Sequence, residues 1–365
     1  MPLQNSNLDL CVNYLSEGKC ILFLGPQFSM SQDKGKVHEH IKTHFQTSAF
    51  KDKLDFHYDN LYIFSQPKPP TGDKMRLHID LKKQYQQTQP HEIYDKLAEI
   101  PFSAIISCSP DSFLKDAYAR KDKPLHFCYF SRKGGTTEEP SQPDMPILYN
   151  IFGHIGDEDS LITTYESFFG FIISMMGEEQ QMPLELRNRI VEAKIFVFMG
   201  FDFSRWYIPL LIHKLASFKG DDDNTTALVD KGNKLEGHSA SYYPIEMLIL
   251  EGESINTIEQ LHQKLQSPEY QEQAAAAAPK TDPIKEVKTL LAQDKLEESI
   301  LLLKSVYKQH GLEDDDVIML EARWMRYNNN LALETITPAE GAVEKAKITQ
   351  AILYIIKALA DEIAL

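Results

Sequence analysis

The chain has 365 residues, with 38 Lys and Arg against 53 Asp and Glu, for a formal net charge of −15 at pH 7. That surplus of carboxylates argues against a nucleic-acid backbone as a direct partner, because phosphate contacts need clustered cations. No apolar run reaches the ~18 residues of a membrane span, and the length leaves room for two or three domains.

The apolar share of 42% is enough to build cores. Residues 1–7 lack the basic and apolar order of a secretory signal, so a soluble cytoplasmic protein without a membrane partner is expected. Cys11, Cys20, Cys108 and Cys128 have no metal-type spacing and are expected as reduced core residues.

Leu8, Cys11, Val12 and Leu15 recur at helical spacing, and Gly18 closes that helix. The run from Cys20 to Leu24 is continuously apolar and stops at Gly25, as expected of a parallel strand covered on both faces. Gly25 permits a tight turn and close approach of a ligand, and Ser29 offers a hydroxyl beside it. In a doubly wound sheet, the loop after the first strand is where nucleotides bind. Residues 33–45 carry His38, His40 and His44, with His57 further on. His40 and His44 are four apart, but no third metal ligand is evident, so a solvated helix without metal is expected.

Residues 61–64 read as a short strand and 67–73 as a Pro- and Gly-rich loop. Asp73 is the expected cap of a helix to about residue 86, with Met75 and Ile79 on one side. A helix over 90–99, a strand over 102–107 and a strand over 125–130 follow. Residues 133–144 read as a surface loop, and 145–153 as a strand ending at Gly153. Thr164 is the expected cap of the next helix, with Glu166 in its first turn. A helix over about 183–193 leads to a second buried run ending in glycine, Ile195 to Gly200, and then to a helix carrying Trp206, Leu210 and Leu211. Residues 218–238 are acidic and aperiodic and read as a mobile loop. A strand over 246–250 and a helix over 258–265 close this part. Strands alternating with helices predict an α/β fold, a doubly wound, mostly parallel, Rossmann-like sheet.

The character changes after Leu265. Residues 266–282, with five consecutive alanines, suit a linker. Residues 283–365 show only helical stripes: Val287, Leu290 and Leu291; Leu296, Ile300, Leu303 and Val306; Val317, Leu320, Trp324 and Tyr327; and Ile348, Ile352, Ile355, Ile356 and Leu359. The expected organisation is thus 1–265, linker 266–282 and a small all-α domain, 283–365.

Gly25, Gly153 and Gly200 each end a predicted strand, and the carboxyl ends of parallel strands line one edge, where ligands bind. The polar residues beside them form the candidate constellation: Ser29, Ser109, Asp111, Asn150, His154, Asp157, Thr163, Asp202 and Ser204. His154 is the titrating candidate among them.

Five segments in order carry a resemblance: 21–29, 105–111, 148–153, 160–165 and 198–206. Together they resemble the sirtuin-like domains of bacterial anti-phage defence proteins, over roughly residues 8–255. Residues 296–303 and 319–327 look like part of an effector-associated domain. The resemblance implies an NAD-binding fold, with NAD or an NAD-derived nucleotide held by Gly25, Pro26, Gln27, Ser29, Asn150, Gly153, Gly200, Asp202 and Ser204, and no metal. Active members hydrolyse NAD to nicotinamide and ADP-ribose. It also implies a homo-oligomer, and recruitment through 283–365 of another protein bearing such a helical domain.

The chain departs from that pattern at both catalytic points. Ser109 stands where the family has an asparagine, and Phe152 where it has the histidine that serves as general base. Pro26 and Gln27 replace small residues in the first turn. Loss of a general base typically costs a factor of about 10² to 10⁴ in rate. The leading expectation is a catalytically degenerate module that binds an NAD-like nucleotide or a partner protein. The alternative is an NADase active once assembled, working through His154 and Asp111 beside Ser109.

Overall fold

A computed structural model describes residues 6–33, 35–56, 61–66, 69–131, 145–176, 182–219, 225–230, 243–250, 252–268, 270, 287–288, 290–291, 295–310, 315–332 and 335–363. The chain divides into two compact units, Met1–Ala276 and Ala277–Leu365.

The first unit holds a seven-stranded sheet in which every neighbouring pair is parallel. Its strands are β1 (Cys20–Leu24), β4 (Ala104–Ser107), β5 (His126–Tyr129), β6 (Ile147–Asn150), β7 (Ile195–Met199), β8 (Thr226–Val229) and β9 (Glu246–Ile249). The order β5-β6-β4-β1-β7-β8-β9 puts β1 at the centre. Leu22 pairs with Ile105 on one side and with Val197 on the other.

The alternation of side chains along a strand explains why β1 is apolar throughout. Leu22 and Leu24 enter one core layer, together with residues of α1 (Ser6–Ser16), α2 (Val37–Thr47), α3 (Thr71–Gln87), α4 (Ile93–Glu99), α5 (Phe113–Arg120) and α9 (Ser254–Leu265). Ile21 and Phe23 enter the other, under α6 (Tyr165–Met176), α7 (Leu184–Glu192) and α8 (Tyr207–Ser217). Phe23 stacks on Phe198 at 4.5 Å between ring centroids. Full burial of each such side chain is worth about 1.5–3 kcal/mol, so the centre of the sheet is its most strongly held part.

Several expectations are corrected. Residues 218–238 contain β8, whose Ala227, Leu228 and Val229 are fully buried; four residues among acidic neighbours are too few to show a period. The strand at 61–64 is β3 (Tyr62–Phe64) of a separate antiparallel pair with β2 (Leu54–Phe56), outside the main sheet. Helix α3 begins at Thr71 behind Pro70, so Asp73 lies inside its first turn and pairs with Lys53 at 2.9 Å instead of capping. The inner face of α3 is Leu77, Leu81 and Tyr85, while Met75 and Ile79 are exposed. Helix α2 is amphipathic, with Val37, Ile41 and Phe45 buried. Strand β6 ends at Asn150, and Gly153 sits in the following turn at φ +86°. Thr164 does cap α6, its Oγ1 accepting the Ser167 N–H at 3.2 Å. His57, the loop at 133–144 and most of 266–282 lie outside the described residues.

The second unit contains α10 (Leu296–His310), α11 (Asp315–Ala332) and α12 (Pro338–Ile363). Their shared core takes Leu296, Ile300, Leu303 and Val306 from α10, Val317, Leu320 and Tyr327 from α11, and Ile348, Ile352, Ile355, Ile356 and Leu359 from α12. Among the described residues no helix is long and apolar enough to cross a membrane.

Candidate functional site

The chain leaves β1 for β4 on one side and later returns to β7 on the other, which makes β1 the topological switch point. Ligands of such sheets bind at the carboxyl ends of the strands there. In this chain, that crevice is stitched shut by its own backbone. Gly25 N–H donates to Met199 O at 2.7 Å, Gln27 N–H to Gly200 O at 3.1 Å and Phe28 N–H to Gly25 O at 3.0 Å. Met30 N–H donates to the Tyr94 hydroxyl at 3.2 Å and Ser31 N–H to Gly35 O at 2.9 Å. The Gly25, Gln27 and Phe28 amides are thus spent inside the protein.

The glycines explain how the two turns come so close. A Cβ on Gly25 would lie 2.2 Å from Gly200 O and 2.8 Å from Phe201 Cγ. Gly200 sits at φ +71°, and a Cβ there would lie 2.6 Å from Phe28 N. Gly25 therefore serves contact between the β1 and β7 turns, and Gly200 adds the left-handed conformation that favours glycine.

Below the turn, a buried carboxylate organises the residues the sequence singled out. Asp111 Oδ2 accepts from Ser109 Oγ at 2.5 Å and from Ser29 Oγ at 3.0 Å. Asp111 Oδ1 accepts the Phe113 N–H at 3.0 Å, at the start of α5. Asn150 Nδ2 donates to Asp111 O at 3.0 Å. Burial raises the Asp111 carboxyl above the usual carboxylate range, and the hydrogen bonds from Ser109, Phe113 N–H and Ser29 oppose that rise. Tyr94 and Tyr85 close the same space, engaging Ser29 and Ser109 respectively, and burial holds both phenols well above their ordinary range. What remains between Phe28, Ser29, Tyr94, Asp111 and Asn150 is a cavity of about 10 Å³, room for about one water.

The other candidates lie elsewhere. His154 does not line this cavity. Its Nε2 is 3.0 Å from Ser112 Oγ, and its ring lies against Phe127 at 5.1 Å and Tyr129 at 5.3 Å. Burial, then the charge of Lys115, lowers its pKa below the ordinary histidine value. The turn carrying it is fixed by Gly153, where a Cβ would lie 2.2 Å from Ser160 O, and Asp157 belongs to the same turn, donating its N–H to His154 O at 2.9 Å. Phe152 is a core residue, edge-on to Phe168 at 5.6 Å and Phe171 at 5.5 Å. Asp202 and Ser204 bond each other at 2.6 Å, and Arg205 pairs with Asp202 at 2.9 Å. Thr163 faces His78 at 3.3 Å.

Sequence reading missed two participants. Asp230, buried after β8, accepts the Gly200 N–H at 3.0 Å and the Ser254 hydroxyl; it was hidden with its strand. Tyr94 comes from α4, where it is buried and nothing in the sequence sets it apart as a site residue. Among the described residues, no group of three His, Cys, Asp or Glu side chains converges as a metal set; His40 lies 3.9 Å from Asp33. The dinucleotide implied by the resemblance does not fit these residues: the turn amides are used, and the notch holds about 10 Å³.

Two family models match the chain. The SIR2-like domain matches residues 103–258, from just before β4, so β1 and its turn lie outside that match. Effector-associated domain 11 matches residues 282–360. A solved structure from work on the mechanism and regulation of Sir2 enzymes is 9% identical, covering 71% of this chain and 97% of that chain at a TM-score of 0.35. Curated proteins gave no match. The chain therefore carries a SIR2-like stretch over 103–258, which contains the buried Asp111, and an effector-associated domain 11 over 282–360.

Proposed function

We propose that this chain is a catalytically degenerate sirtuin-like module of a bacterial conflict system, acting as a scaffold that recruits a partner through its helical domain. The observation that carries the reading is the closed switch-point crevice, with Gly25, Gln27 and Phe28 amides bonded within the chain. Phe152 adds to it. A side chain in the position of the general base is packed between phenylalanines and has no proton to exchange. A proton-transfer group in that role is worth about 10² to 10⁴ in rate. His154 does not take its place, since it rests on Ser112 and the β5 rings outside the notch.

The partner in this reading is another effector-associated helical domain. Met319 on α11 and Tyr354 on α12 are 67% and 74% exposed on either side of a groove between the two helices. Large apolar side chains exposed in this way mark contact surfaces.

Two measurements on the full-length chain test the reading. Purified protein should leave millimolar NAD unconsumed, and Met319→Glu with Tyr354→Glu should abolish co-purification with the partner without lowering the melting temperature. NAD loss that disappears with His154→Ala would instead establish the enzyme reading, in which assembly opens the crevice.

A further inference from the structure

A second cavity, separate from the closed notch, lies between α3 and α6 and measures about 470 Å³. That volume falls within the ~300–1,000 Å³ typical of small-molecule sites. Its lining comes from four places in the chain: β3, α3, the segment after β5, and the stretch from 161 into α6.

One wall is apolar. It contains Phe64 and Leu161, with Leu77 and Phe130 almost wholly buried beneath. The opposite wall is α6, which presents Ser167, Gly170 and Ser174. A Cβ built on Gly170 meets nothing within 4 Å, so the helix backbone is bare at this point. Inside, His78 Nε2 and Thr163 Oγ1 lie 3.3 Å apart. At the mouth, Lys74 Nζ is 3.2 Å from Glu166, and the two side chains are 44% and 82% exposed. A pair that solvated contributes little, so Lys74 is available to a stronger anion.

These walls ask for three properties in one molecule: a flat apolar body, hydroxyl groups and a single anionic group at one end. We propose that the α3–α6 cleft binds a nucleoside monophosphate. The base lies along Phe64, the ribose hydroxyls meet Ser174, Thr163 and His78, and the phosphate takes Lys74 from Glu166. The site is independent of the scaffold reading, because neither Lys74 nor Gly170 belongs to the closed notch.

The test is calorimetric titration of the full-length chain with AMP, adenosine and inorganic phosphate. AMP should bind more tightly than either of the others. Lys74→Ala should weaken AMP by about tenfold or more, the scale of one charge-assisted hydrogen bond, and leave adenosine unchanged. Gly170→Leu, which fills the cleft, should remove binding of both AMP and adenosine. Its melting temperature should not fall, because leucine favours a helix over glycine. AMP binding no tighter than phosphate alone overturns the proposal, as does unchanged AMP affinity in Lys74→Ala. Retained affinity in a folded Gly170→Leu overturns it as well.

Discussion

Gly25→Ala separates two roles for the first glycine. If Gly25 is there for a ligand's approach, an added methyl group changes binding and leaves folding alone. If it is there for the β1–β7 contact, the methyl group lands 2.2 Å from Gly200 O, 2.6 Å from Gly200 C and 2.8 Å from Phe201 Cγ. Relief requires the turns to part by about 1 Å, an overpacking distortion worth about 1–3 kcal/mol. The same movement stretches the Gly25 N–H to Met199 O and Gln27 N–H to Gly200 O bonds, each worth about 1 kcal/mol net. The expected loss is therefore about 3 kcal/mol. The chain has two tryptophans, Trp206 in the first unit and Trp324 in the second, so a Trp324→Phe background reports the first unit alone. With a urea slope of about 2–3 kcal/mol/M, the midpoint should fall by about 1 M or slightly more. An unchanged midpoint would refute the packing role of Gly25.

Asp111 gives a pair of contrasting variants. Its folded pKa is raised above 3.8, mainly by burial, so the folded chain keeps a proton that the unfolded chain has released. Stability should accordingly fall as pH rises from 3.8 through the raised folded value and level off above it. Asp111→Asn should remove that fall, whereas Asp111→Ala, which strands Ser29, Ser109 and the Phe113 N–H, should cost about 2–4 kcal/mol at neutral pH. Denaturant midpoints measured across pH check both. Glu99 has the opposite sign: Lys121, then His262, lower its pKa to about 2. Its contribution is present above 4.5 and lost as pH falls from there towards about 2, so Glu99→Gln should flatten that acid limb of the melting curve. Phe152→His places an imidazole between Phe168 and Phe171. It should cost about 2–4 kcal/mol in thermal stability and yield no NAD hydrolysis, since the crevice stays shut.

The central strands were legible because burial on both faces leaves a continuous apolar run, as in Cys20–Leu24 and Ile195–Met199. The second unit was legible because its stripes repeat over several turns, and the buried residues of α10, α11 and α12 are those stripes. Strand β8 was not, because four residues among acids carry no period. The face of α3 was misjudged for a different reason: Met75 and Ile79 fit a helical stripe as well as Leu77 and Leu81 do, and only the neighbouring layer selects between them. At the site, polar residues beside strand ends identified Ser29, Ser109, Asp111 and Asn150, which share one hydrogen-bonded cluster. The same rule swept in His154, Asp202 and Ser204, which lie near strand ends but bond to their own turns or to Ser112. Whether a strand-end turn faces a ligand or another turn depends on the partner loop, here the one after β7, some 175 residues away in the chain.

Amide hydrogen exchange over residues 24–31 addresses the closed crevice most directly. With the Gly25, Gln27, Phe28 and Met30 N–H groups bonded inside the protein, this segment should be protected in the absence of nucleotide, and millimolar NAD should leave its exchange unchanged. Rapid exchange without nucleotide, with protection appearing on addition of NAD, would contradict the account.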